Sequence, residues 1–173
     1  MEPTEELQEH AEHAREPFDK RVAATMAIIA AALAVVSVLG HFFATEELLK
    51  QQESSDTWAQ YQAKSIRRYD SEIARDIFAT LDRTDQAKRY TEEMQRFAKE
   101  NVGIREKAEE FKKESLLSGH KAWWFHLGDI FLSIAIVFAS LAILTKRTLV
   151  YWTAVGSALV GIVLACMAAT AHG

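Results

Sequence analysis

Apolar residues in this chain are gathered into three blocks rather than spread along its length. Residues 22–45 hold no Asp, Glu, Lys or Arg, residues 122–145 hold only Asp129, and residues 148–170 hold none. A membrane-spanning helix needs roughly 20 mostly apolar residues, and each block is long enough. Between the first two blocks there is no proline, the only glycines are Gly103 and Gly119, and Ala, Glu, Lys, Gln and Arg abound. These are strong helix formers. The pattern predicts an all-α membrane protein: three transmembrane helices, with a long antiparallel helical hairpin over 46–121 projecting between the first and second spans.

The polar break "LDRTDQ", residues 81–86, supplies the turn of that hairpin, with Thr84 as the cap of the returning helix. From there a 4-3 spacing places Ala87, Tyr90, Met94, Phe97, Asn101, Ile104, Ala108 and Phe111 on one coiled-coil seam. The same register continues through Ser115, Ser118, Ala122 and Phe125 to Asp129, then Leu132, Ile136, Ala139 and Ile143. The outgoing helix answers near the tip with Ile66, Tyr69, Ile73 and Ile77. Nearer the membrane its seam is Gln52, Ser55, Ala59 and Gln62. Such a pair can pack on itself with a solvated outer face, or offer a second face to sister subunits. A lone pair of helices buries one stripe only, which favours assembly.

The first span has its own stripe at the same spacing: Ala23, Ala27, Ala30, Ala34, Ser37 and His41. Small residues let membrane helices approach closely. Pairing about the predicted turn sets His41 opposite Phe125 and His126, and Ser37 opposite Asp129. Ser37, His41, His126 and Asp129 thus form an expected intramembrane polar cluster near the outer interface. A carboxylate in lipid is costly, and a neighbouring hydroxyl and imidazole offset part of the cost. The cluster reads first as a hydrogen-bonded register pin, second as a protonatable or ion-coordinating site, and third as a group close enough to the headgroups to be wet. In the third span Ser157, Gly161, Ala165 and Ala169 recur every fourth residue. That stripe packs either within the subunit or between subunits.

Charge orients the chain. Arg15, Lys20 and Arg21 precede the first span, and Lys146-Arg147 joins the second to the third. The positive-inside rule then puts the N-terminus in the cytoplasm and the C-terminus and hairpin outside. Phe42-Phe43 and Trp123-Trp124 mark the outer interface, Tyr151-Trp152 the inner one. The segment 1–19 carries seven acids, unlike the basic start of a cleaved signal, so the first span is retained.

Composition narrows the function by exclusion. With 20 Lys+Arg against 24 Asp+Glu and no basic stripe, nucleic acid is not an expected partner. The single cysteine, Cys166, forms no cluster and fills space as a small apolar residue. Glu6, His10 and His13 share a helical face, but without a second ligand set no metal is expected. There is no phosphate loop, nucleotide fingerprint or nucleophile elbow. Neither a cofactor nor an enzymatic activity is expected.

The stretches "KRVAATMAIIAAALAVVSVLGH", "ATEELL", "SSDTWAQYQAKSIR" and "LGDIFLSIAIVFASLAILTKR" resemble a family of small bacterial inner-membrane proteins defined only as a domain of unknown function. The resemblance implies three spans, an acidic N-terminus and a helical outer segment, and draws attention to Asp56, Trp58, Tyr61, Gln62, Lys64 and Arg67. The expectation is a non-enzymatic protein of the bacterial inner membrane. Its partners would be the lipid bilayer and either copies of itself or a larger membrane complex. The alternatives are an oligomeric ion or proton channel and a periplasmic sensor.

Overall fold

A computed structural model describes residues 17–170, and all of these but Leu81, Asp82, Arg83, Lys146 and Arg147 are helical. Three helices follow in order: α1 (Pro17–Thr80), α2 (Thr84–Thr145) and α3 (Thr148–Thr170). Each contains a window long and apolar enough to cross a membrane. The Glu6, His10 and His13 face lies outside the described residues.

The breaks between helices have a clear local cause. At the end of α1, the Asp82 N–H donates to the Ala79 carbonyl (3.2 Å) and the Arg83 N–H to the Phe78 carbonyl (2.9 Å). Asp82 takes the left-handed conformation, φ 56°. This is the six-to-one, five-to-two ending that stops a helix while satisfying its last carbonyls. The Ala87 N–H donates to the Arg83 carbonyl at 3.1 Å. Arg83 therefore holds the cap position of α2, and Thr84 is its first helical residue rather than its cap. At the second break Lys146 is left-handed, φ 54°, and α3 begins with the Tyr151 N–H on the Arg147 carbonyl.

The chain divides into two packed units. One holds the described residues up to Phe43 and those from His120 onward, and the other is Ala44–Gly119. In the first unit, Val22, Ile29 and Val36 of α1 are buried against Phe125, Leu132, Ala135, Ala139 and Ala142 of α2 and the alanines of α3. The start of α1 meets the far end of α2: Asp19 pairs with Lys146, and the Ser140 hydroxyl lies 3.5 Å from Met26 Sδ. Thr25 and Tyr151 share a hydrogen bond at 3.1 Å. Helix α3 lies against α2 through Gly128 and Gly161, and the Ser157 hydroxyl donates to the Phe131 carbonyl at 2.8 Å. The small-residue stripe of α3 thus packs within the chain at Ser157, Gly161 and Ala165, while Ala169 is exposed.

The second unit is held by polar contacts together with packed aromatic rings. Successive contacts pair rising positions on α1 with falling positions on α2. The Ser115 hydroxyl donates to the Glu47 carbonyl (3.1 Å), and that of Ser54 to the Ala108 carbonyl (2.9 Å). Asn101 Nδ2 donates to the Ser65 hydroxyl at 3.0 Å, and the Phe78 and Tyr90 rings stack at 5.5 Å. Ser54, Ser71, Asn101, Ser115 and Ser118 are buried, with Ala108 fully enclosed. Serine and alanine at the contact let the two backbones come close enough for hydroxyl-to-carbonyl bonds.

Two expected seams on α1 lie on exposed faces instead. Ile66, Tyr69, Ile73 and Ile77 are 53–60% exposed and face away from α2. Ala23, Ala27, Ala30, Ala34 and His41 are likewise exposed, with Ser37 half-buried. The face that packs lies one residue earlier: Val22, Ile29, Val36 and Gly40 in the first unit, and Ser54 and Ser65 in the second. One residue is about 100° of helix, enough to turn a stripe from inside to outside.

Candidate functional site

Two features stand out from the bundle, one in each unit. In the first unit the four residues of the expected polar cluster lie on α1 and α2. Ser37 and His41 are one turn apart on α1, as are His126 and Asp129 on α2, so each pair shares a helix face. The His41 and His126 rings meet edge to face with centroids 6.2 Å apart. Gly40 makes room for this: a β-carbon there would sit 3.3 Å from Phe125 Cβ and 3.7 Å from His126 Nδ1. Beside them Phe43 stacks on Phe125 at 5.6 Å. Both imidazoles are exposed, whereas Asp129 is half-buried.

Asp129 Oδ1 is enclosed and accepts no hydrogen bond. A buried oxygen without a donor costs roughly 1–3 kcal/mol. The structure brings the two histidines together but gives this oxygen no partner, so the expected four-residue hydrogen-bonded cluster is not closed at Asp129 Oδ1. Among the described residues, no group of three or more His, Cys, Asp and Glu is placed to hold a metal ion.

In the second unit, charged side chains bracket the polar contact between the helices. Lys50 Nζ lies 3.2 Å from Glu53 Oε2, 3.0 Å from Glu114 Oε2 and 5.0 Å over the Phe111 ring. The Glu114 contact is an ion pair by distance rather than an aligned hydrogen bond, because that oxygen accepts none. Glu114, then Glu53, raise the Lys50 ammonium above its ordinary value of 10.5. Lys64 pairs with Glu100 and holds that carboxyl below the usual 4.5. Arg105 donates to Glu109 at 2.8 Å, which raises the guanidinium. The side chains of these pairs are partly exposed, so the pairs add little to stability.

Of the family-like stretch, Trp58 and Tyr61 meet edge to face at 5.5 Å and Lys64 reaches Glu100, while Asp56, Gln62 and Arg67 are exposed. On α2, Tyr90, Met94, Phe97, Ile104 and Phe111 are half-buried and Asn101 is buried. Sequence reasoning missed the Lys50 site and the Gly128–Gly161 contact. A glycine directly before the one acid of an apolar block was the available signal for the second.

The model for a domain of unknown function, DUF4337, matches residues 18–171. The chain belongs to the DUF4337 family. That match covers all three helices of this DUF4337 protein, including both features above. No curated protein and no solved structure matches it.

Proposed function

We propose that this DUF4337 protein is a non-enzymatic scaffold of the bacterial inner membrane that assembles with copies of itself or as an accessory subunit of a larger membrane complex. Residues 22–45, 122–145 and 148–170 cross the lipid, and 46–121 form a helical hairpin on the far side. The basic residues Lys20, Arg21, Lys146 and Arg147 support a cytoplasmic N-terminus.

One observation carries the assembly reading. In the unit that this topology places in water, Ile66, Tyr69, Ile73 and Ile77 of α1 are more than half exposed, while Ser54 and Ser71 of the same helix are buried. A hairpin evolved to stand alone would put its aliphatic residues inside and its serines outside. The reversed arrangement is what an assembly surface requires, since contiguous exposed apolar patches mark interaction sites. Light scattering on the full chain in lipid nanodiscs tests it. More than one copy per particle, or recovery in a larger stoichiometric complex, supports assembly; a monodisperse single copy in both disc and native membrane contradicts it.

A second reading is favoured by the unpartnered Asp129 oxygen, one turn along α2 from His126, whose ring meets that of His41: an oligomeric proton or ion conduit. Flux through reconstituted protein that vanishes in Asp129→Asn would replace the scaffold reading with this one.

A further inference from the structure

Resting on the assembly reading, we infer that the exposed apolar face of α1 between Ile66 and Leu81 is a homotypic docking surface whose occupant is the same face of a second copy of this chain. Ile66 and Ile77 are eleven residues apart with Ile73 between them. An eleven-residue spacing keeps side chains in line with the axis of a straight helix. The stripe from Ile66 to Ile77 is therefore a straight line about 16 Å long at 1.5 Å per residue. Tyr69, 55% exposed, flanks it, and Leu81, 62% exposed, follows it.

Area and charge point to a second copy. At roughly 100 Å² of exposed surface per residue, five residues present about 500 Å² per copy and about 1,000 Å² in a pair, the lower edge of a specific interface. The charges along the stripe are balanced: Arg67, Arg68 and Arg75 against Asp70, Glu72 and Asp76. A copy meets no net repulsion there, whereas a strongly acidic or basic partner would gain no steering from it. Arg75 is already paired with Asp76 at 2.7 Å, and the Arg68 guanidinium lies 5.0 Å over the Tyr69 ring. These pairings leave the aliphatic crest clear.

Two copies seated in one bilayer point the same way, so each residue meets its own counterpart about a two-fold axis along α1. Ile73→Cys in a Cys166→Ala background, oxidised in liposomes, tests this, with Lys112→Cys on an exposed part of α2 as control. The expected result is at least tenfold more disulfide-linked dimer at position 73 than at 112. Ile66→Glu with Ile73→Glu should lower the dimer fraction at least tenfold while leaving the helical signal unchanged. If copies assemble but cross-link equally at both positions, and the double Glu variant assembles like wild type, this surface is overturned and the assembly reading stands. Should the Ile73→Cys chain stay single while its thiol is shielded from a water-soluble maleimide, a different occupant covers the stripe and the inference fails. A single chain with a fully reactive thiol overturns both.

Discussion

Gly128 and Gly161 meet so closely that a β-carbon on either would collide with the other's backbone. It would lie 2.9 Å from the Gly161 carbonyl oxygen in one case and 2.8 Å from that of Gly128 in the other. The nearest atom in each case is a main-chain carbonyl oxygen, so relief requires α2 and α3 to move apart. Gly128 also directly precedes Asp129, so this contact fixes the part of α2 that carries the acid.

Gly161→Ala should therefore destabilise the three-helix unit by about 1–3 kcal/mol. Gly156→Ala on the same helix meets nothing within 4 Å and should be neutral. Gly103→Ala, equally open and at an exposed position of α2, should gain up to about 1 kcal/mol. Unfolding of the full chain in mixed micelles separates the three. Equal effects at positions 156 and 161 would contradict the packing of α3.

In the second unit, Ser54→Ala should cost about 1 kcal/mol through loss of the bond to the Ala108 carbonyl. Ser54→Leu should cost about 1–3 kcal/mol, because Ala108 is fully enclosed opposite and leaves no volume for a larger side chain. Thermal melts followed by helical circular dichroism check both. A Leu variant as stable as wild type would mean that serines do not form the inner face.

How much was legible follows from what each face is made of. On α2, aromatic residues such as Tyr90, Phe97, Phe111 and Phe125 lie on the packed side, so apolar spacing points inward there. On α1 the packed side carries Ser54, Ser65 and Ser71, while the isoleucines lie outside. Hydrophobicity therefore selected the wrong stripe, one residue away. The first part of α1 misled differently: a line of alanines suggested close packing, but Val22, Ile29 and Val36 provide it. Spacing gives the period of a stripe and not the partner it faces. A turn within residues 81–86 was readable from its polar sequence, whereas its confinement to 81–83 and the left-handed Asp82 were not, since Asp lacks the clear signature of Gly.

Asp82→Gly is the corresponding test. Glycine adopts positive φ without the steric penalty of a side chain, so the change should stabilise the turn by about 0.5–1 kcal/mol. Asp82→Val should lose at least as much. Urea titration of the full chain reads both, and a destabilising Gly variant would contradict the left-handed ending of α1.

Asp129→Leu should leave stability unchanged or raise it by about 1 kcal/mol, because a group with an unsatisfied buried oxygen is removed. Asp129→Asn should fall within about 1 kcal/mol of wild type. A loss greater than 2 kcal/mol in the Leu variant would show that Asp129 has a partner essential to the bundle.

The pH response of the second unit follows from two pairs. Glu100 is held below 4.5 by Lys64, so its contribution is fully present above 4.5 and is lost as pH falls through its lowered value. Lys50 is held above 10.5 by Glu114 and Glu53, so its contribution is present below 10.5 and is lost as pH rises through the raised value. These two pairs therefore contribute no pH dependence between about 5 and 10. In Glu100→Gln the acid limb should be shallower and the alkaline limb unchanged. An acid limb as steep as in wild type would remove Lys64–Glu100 from the account.

The measurement that bears most directly on assembly is the copy number of fluorescently tagged full-length chain in liposomes, counted by photobleaching steps as lipid is increased. Self-assembly predicts two or more steps per spot at low dilution, falling toward one in Ile66→Glu with Ile73→Glu. One step per spot for wild type at every lipid ratio would contradict it.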